Sequence, residues 1–158
     1  MLTQAGRDES GMDADRVAQF RDVALLELKR AERYRNFLSL LVLNLSEFLS
    51  TAGRRKINSQ QDTEQFIESA ITRIRGVARE TDMISGANNQ HLVMLLPETD
   101  RSGALAAGER FQKLLAEFLS DFLESDYSFN IPVEITSFPD QSSRRIFKSR
   151  LKHLFEVM

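Results

Sequence analysis

The chain has 158 residues, 42% hydrophobic and 28% charged, with a formal charge of −2 at neutral pH. That length and composition suit one globular domain with a sizeable core, and exclude two ordinary domains or a disordered chain. The near-neutral charge excludes general nucleic-acid binding through bulk electrostatics, and the absence of cysteine excludes disulfides, thiolate metal sites and a cysteine nucleophile.

Residues 1–13 are polar, without the apolar core of a signal peptide, and read as a flexible leader to a domain over residues 14–158. The longest apolar-rich run, residues 37–43, is far too short to span a bilayer. A cytoplasmic domain without membrane insertion is therefore expected. From about Asp15 to Arg35 the pattern is helical, with Phe20, Ala24, Leu28 and Ala31 on one face. Lys29, Arg30, Arg33 and Arg35 crowd the end of this helix, where cations suit its dipole, and read as a solvated helix end. Phe37 to Asn44 has the length and near-continuous apolarity of a central strand buried on both faces. Residues 49–61 are polar, with a glycine and two serines, and read as a loop with room for a helical turn.

A second helix is expected to start near Asp62, with Gln65 as its capping-box partner, and to end near Arg79. Its stripe is Phe66, Ile67, Ala70, Ile71, Ile74 and Val77. Between Asp82 and Asp100 the pattern is a short strand, a tight turn at Ala87-Asn88-Asn89-Gln90, an apolar strand over His91 to Leu96, and a helix start after Pro97. The Asn-Asn pair suits the turn because asparagine tolerates positive φ. Asp100 caps a third helix, whose apolar face runs Ala104, Ala107, Phe111, Leu114, Leu115, Phe118 and Phe122. A strand over about Tyr127 to Phe138 and a helix over about Ser142 to Val157 complete the chain, with Phe147, Leu151, Leu154 and Phe155 inward. This order predicts an α+β fold, a mostly antiparallel central sheet flanked by helices. The basic residues of the last helix, Arg144, Arg145, Lys148, Arg150 and Lys152, surround it and read as a solvated surface.

Two stretches carry a resemblance: the hairpin with its LLPETD continuation, and Ala31-Glu32-Arg33-Tyr34 followed by LSLLVLNLSEF. Over roughly residues 15–140 the chain resembles the GGDEF domain of diguanylate cyclases, in which strand, GG[DE]EF turn, strand and LLP-T-D follow one another. The resemblance implies a single nucleotidyl cyclase-type domain. Asn88-Asn89-Gln90-His91-Leu92 occupies the signature, Asn44 and Ser46 fall on the two aspartates of the first strand, and Phe48 keeps the apolar anchor. Family members join two GTP molecules with the help of a hard divalent ion held by carboxylates from the first strand and the signature turn. Here the matching residues are the neutral Asn44 and Gln90, and Asn88 and Asn89 replace the glycines that let backbone approach the nucleotide. The loop 49–61 also lacks the Asn-Asp and Gly-His pairs that help to hold a guanine base. Glu47, read as part of a strand, would point away from Gln90. His91 and His153, the only histidines, have no cluster with metal-ligand spacing, and no nucleophile motif is present. No catalysis, no metal and no cofactor are expected.

One further motif resembles the family's. Arg79-Glu80-Thr81-Asp82 stands nine residues before Asn88, as does the R-x-x-D of the inhibitory site that binds the product, cyclic di-GMP. Arg110 matches a further arginine of that site. Arginine forks suit phosphate and the O6/N7 edge of guanine, and an aspartate can accept from guanine N1 and N2. Read without the resemblance, Arg79 is a helix-end cation and Asp82 is turn chemistry. The resemblance implies an inactive domain that acts as a receptor for a bacterial second messenger, cyclic di-GMP, through Arg79, Asp82 and Arg110. The alternative is a ligand-independent scaffold that docks another signalling protein or a second copy of itself.

Overall fold

Strand β1, Leu38–Asn44, is buried along six of its seven residues because a strand pairs with it on either side and helices cover both its faces. In the computed structural model, which describes the backbone of residues 2–126 and 128–156 and the side chains of residues 16–126 and 128–155, it is the third strand of a four-stranded sheet. The order is β2-β3-β1-β4, with β2 Met83–Ala87, β3 His91–Pro97 and β4 Val133–Phe138, and every pairing is antiparallel. The expected pairing of the apolar strand with the hairpin is thus present: Leu38 faces Pro97 and Asn44 faces His91.

Alternation along the strands divides the core in two. Leu41, Leu43, Leu92, Met94 and Leu96 pack under helices α3, Gln60–Arg75, and α4, Arg101–Leu123. Leu38, Leu40, Val42, Val93 and Leu95 pack under α1, Leu2–Tyr34, and α5, Arg144–Glu156. The expected stripe Phe20, Ala24, Leu28 and Ala31 of α1 meets Phe147, Leu151, Leu154 and Phe155 of α5, with the Phe20 and Phe155 ring centroids 5.5 Å apart. Helix α1 ends as Arg35 turns left-handed (φ 56°) and Asn36 N–H returns to the Ala31 carbonyl at 2.9 Å. No helix among the described residues is long and apolar enough to cross a membrane.

Several boundaries differ from expectation. Helix α1 begins at Leu2, so the backbone of residues 2–13, expected as a leader, continues the helix; the side chains of residues 1–15 lie outside the described ones. Glu47 is exposed in a short helix, α2, Ser46–Ser50, and not in a strand, because Asn44 ends β1 by accepting a hydrogen bond from Ser46 N–H. A 3₁₀ turn, Ala52–Arg55, follows within the expected loop. Ser59 and not Asp62 caps α3, its hydroxyl accepting from Asp62 N–H at 3.0 Å. That helix stops at Arg75, which leaves Val77 52% exposed and outside the buried stripe. Asp100 caps α4 as expected, accepting from Gly103 N–H at 2.8 Å, and Leu119 joins its buried face. β4 starts at Val133, after Pro132, which has no N–H to give to a ladder; Tyr127 lies outside the described residues. Ser143 precedes α5 and caps it, accepting from Ile146 N–H at 3.2 Å, and Val157 again lies outside the described residues.

Candidate functional site

The two ends of the β2–β3 hairpin hold the two groups of residues that the sequence singled out. At the turn, Asn88 and Asn89 both have φ 56°, and Gln90 N–H closes onto the Ala87 carbonyl at 3.2 Å. Those paired positive φ values are the backbone of a type I′ turn, in which asparagine is a favoured residue. Leu45 N–H donates to the Gln90 carbonyl at 2.7 Å and Asn44 pairs with His91, so the fold brings Asn44, Ser46, Gln90 and His91 together at one corner of the sheet. Two asparagines make structural hydrogen bonds there. Asn44 Oδ1 is engaged by Ser46 N–H at 2.8 Å. Asn88 Nδ2 donates to the Leu154 carbonyl at 3.2 Å. That carbonyl lies in the last turn of α5, where helical carbonyls have no partner within the helix. Asn88 thus fastens the end of α5 to the turn, while Asn89 and Gln90 stay exposed.

His91 sits beneath α5, its Nδ1 buried without a hydrogen-bond partner. Burial holds its pKa below the ordinary 6.5; a hydrogen bond with the Ala87 backbone opposes this, Arg150 reinforces it, and Glu134 opposes it. Arg150 and Glu134 are ion-paired with each other across α5 and β4. Among the described residues no three His, Asp or Glu side chains gather so as to hold a metal ion. A hard divalent cation does not fit this corner, which offers one engaged amide oxygen from Asn44 and no carboxylate from the turn.

At the opposite end, Arg79 lies beyond the end of α3, so the helix dipole is not what holds it. Its Nε and Nη2 donate to Asp82 Oδ1 at 3.2 and 2.9 Å, and Nη2 also reaches the Pro97 carbonyl at 3.0 Å and Thr99 Oγ1 at 2.7 Å. Arg79 N–H takes the other aspartate oxygen at 3.0 Å. Asp82 is only 5% exposed, whereas Arg79 is 52% exposed. Both its oxygens are engaged by Arg79, so Asp82 orients the guanidinium. The Nη1 edge of Arg79 carries none of these bonds and remains as a donor pair.

The fold unites Arg79 with Asp82, and Arg110 stands on a separate element, α4. Arg110 is exposed on α4, its guanidinium carbon 5.7 Å from the centroid of the neighbouring Phe111 ring. It lies ten residues beyond Asp100, roughly 15 Å along the helix. Beside Arg79 is an open cleft of about 420 Å³ between the end of α1 and the β3–α4 connection, bordered by Tyr34, Phe37, Thr81, Pro97 and Glu98. Tyr34 and Phe37 are 61% and 42% exposed. In the sequence Tyr34 and Phe37 stand only as parts of a motif and a strand, although two aromatics flank a helix end rich in arginine.

No protein-family model matches the sequence, and no curated protein matches it significantly. Solved structures do match. The chain is similar to the GGDEF domain of DgcB from Caulobacter crescentus, solved in complex with c-di-GMP (14% identity, 85% of this chain and 76% of that one, TM-score 0.63). It is similar to the GGDEF domain of YfiN (TpbB) from Pseudomonas aeruginosa (19% identity, 89% and 86%, TM-score 0.61). It is also similar to the diguanylate cyclase SiaD of that organism in complex with its activator SiaC (14% identity, 97% of this chain and 62% of that one, TM-score 0.64). At such identities the likeness is one of fold.

Proposed function

From this GGDEF-like fold we propose a catalytically silent regulatory domain that binds cyclic di-GMP through Arg79. The observation that carries the receptor half is the fixed guanidinium: Asp82, Pro97 and Thr99 hold Nε and Nη2 of Arg79 while the half-exposed side chain keeps the two N–H groups of Nη1 for a phosphate oxygen or a guanine acceptor. Donors already held in place lose less freedom on binding than mobile ones. Asp82 acts through Arg79, and Arg110 serves as an outlying cation for the far side of the ligand. The silent half follows from Asn44 and Gln90, which cannot neutralise a divalent ion against two triphosphates. DgcB provides the precedent for the ligand. The reading goes with a cytoplasmic domain that has no nucleic-acid partner, no resident metal and no membrane insertion.

A second reading is a ligand-independent scaffold for another signalling protein or a second copy. It is favoured by Leu26 and Ile146, 53% and 55% exposed on α1 and α5, and by the precedent of SiaD with SiaC. Calorimetric titration with cyclic di-GMP and, separately, with GTP and Mg²⁺ tests the choice. Saturable heat from cyclic di-GMP, lost on changing Arg79, is the expected result. Absence of heat and of any thermal shift at high micromolar cyclic di-GMP sinks the receptor reading and leaves the scaffold.

A further inference from the structure

We propose that the cleft beside Arg79 is a guanine-base subsite, in which Tyr34 and Phe37 provide the stacking face and the Glu27–Arg30 pair reads the base edge. The inference rests on Arg79 as a cyclic di-GMP contact and adds the residues that receive one of that ligand's two bases.

Continuity comes first. Pro97 borders the cleft and accepts from Arg79 Nη2 at 3.0 Å, and Thr81, which also borders it, stands inside the Arg79–Asp82 turn. The Arg79 side chain therefore adjoins the Pro97 border of the cleft. The aromatics come next. Most phenylalanines of the two cores are buried, whereas Tyr34 and Phe37 keep much of their surface in water at the rim. The Arg33 guanidinium carbon lies 5.5 Å from the Tyr34 ring centroid, which adds a second flat, cationic group beside the ring. Stacking on such rings is a common way to hold a base whose edge is read elsewhere.

The edge is read by charge. Arg30 Nη1 meets Glu27 Oε1 at 3.3 Å, and both line the cleft. A carboxylate beside a guanidinium offers an acceptor for guanine N1–H and N2–H and donors for O6 and N7. Adenine presents the opposite polarity at N1 and C6, so the pair disfavours it. The volume of about 420 Å³ lies within the range of small-molecule sites.

The test uses the fluorescence that the composition permits: the chain has no tryptophan and two tyrosines, Tyr34 and Tyr127. In a Tyr127→Phe protein, Tyr34 is the only strong emitter. Cyclic di-GMP is expected to quench it saturably, with the midpoint that calorimetry gives. Tyr34→Ala is expected to weaken binding about fivefold or more, the lower end of base–aromatic stacking. Cyclic di-AMP should bind more weakly than cyclic di-GMP, and Glu27→Gln should narrow that difference. Tyr34 is largely exposed and Glu27→Gln is close to isosteric, so the folded state should survive, as circular dichroism would verify. Arg79→Lys, which keeps the charge, accompanies Arg79→Ala. Binding that needs Arg79 but is indifferent to Tyr34, with unquenched emission, overturns the subsite and spares the Arg79 reading. Binding that needs Tyr34 but survives both Arg79 variants overturns the Arg79 reading and spares the cleft. Neither heat nor quenching overturns both.

Discussion

Replacing Arg79 by alanine should destabilise the fold as well as the proposed site. Arg79 ties the α3–β2 connection to the β3–α4 connection through Asp82, the Pro97 carbonyl and Thr99 Oγ1. Each hydrogen bond to a charged group is worth roughly 1.5–3 kcal/mol net when buried. The arginine is 52% exposed, so solvent screening moves its pairing toward the bottom of that range. Asp82, 5% exposed, would keep its bond to the backbone of residue 79 but lose the guanidinium. We expect a loss of about 2 kcal/mol, which for a chain of this size lowers Tm by roughly 4–8 °C. Urea unfolding followed by far-ultraviolet circular dichroism should show a lower midpoint with an unchanged slope. Thr99→Val removes one of the same acceptors and should cost about 1 kcal/mol. Because Thr99 and Arg79 share that bond, the double variant should cost less than the sum of the two changes. A midpoint unmoved by Arg79→Ala, or strictly additive costs, refutes the description of Arg79 as a clasp between the two connections.

With GTP and either Mg²⁺ or Mn²⁺, no cyclic di-GMP should form; turnover that Gln90→Ala abolishes would show that the corner still works. Asn88→Ala loses the bond to the Leu154 carbonyl and places alanine at φ 56°, so it should cost about 2 kcal/mol, whereas Asn88→Gly relaxes the backbone and should cost about half as much in thermal unfolding. Equal costs would mean that conformation contributes little there. Burial lowers the His91 pKa from 6.5, so below that value the unfolded chain binds the extra proton first. Stability should therefore rise with pH across the interval between the lowered pKa and 6.5, by up to about 1.4 kcal/mol per pH unit. His91→Gln should flatten that slope, and a slope that survives the change belongs to other groups.

What was legible in the sequence was local or periodic. The run from Phe37 to Asn44 and the Asn-Asn pair announce a strand and a turn within a few residues; the turn is present and the strand spans Leu38–Asn44, with Phe37 42% exposed outside it. Caps were harder because Ser59 and Asp62 are both good capping residues; only the bond from Asp62 N–H to Ser59 Oγ decides between them. Contacts distant along the chain were not legible. Arg79 finds Pro97 and Thr99 only after β2 and β3 have paired, and Asn88 finds Leu154 only after α5 has crossed the sheet. The same holds for the cleft, whose walls come from α1 and the β3–α4 connection. Asp82 illustrates the limit most directly: its motif resembled a ligand site, and only the fold shows that it also supports Arg79.

The geometry of the sheet keeps the Asn88-Asn89 turn and the Arg79 clasp apart. The Asn88-Asn89 turn closes beyond the Ala87–His91 pair, whereas Arg79 and the cleft lie beyond the Met83–Leu95 pair at the other end of the ladder. Four residue steps of strand separate those pairs, roughly 13 Å. Changes at Asn88 and Asn89 should therefore leave the contacts of Arg79 untouched. Asn88 also fastens α5 through the Leu154 carbonyl. Glycine at residue 88 would open space at the turn but release that helix end. With the strands between them as a spacer, the turn and the Arg79 clasp should contribute to stability independently, so the costs of Asn88→Gly and Arg79→Ala should add.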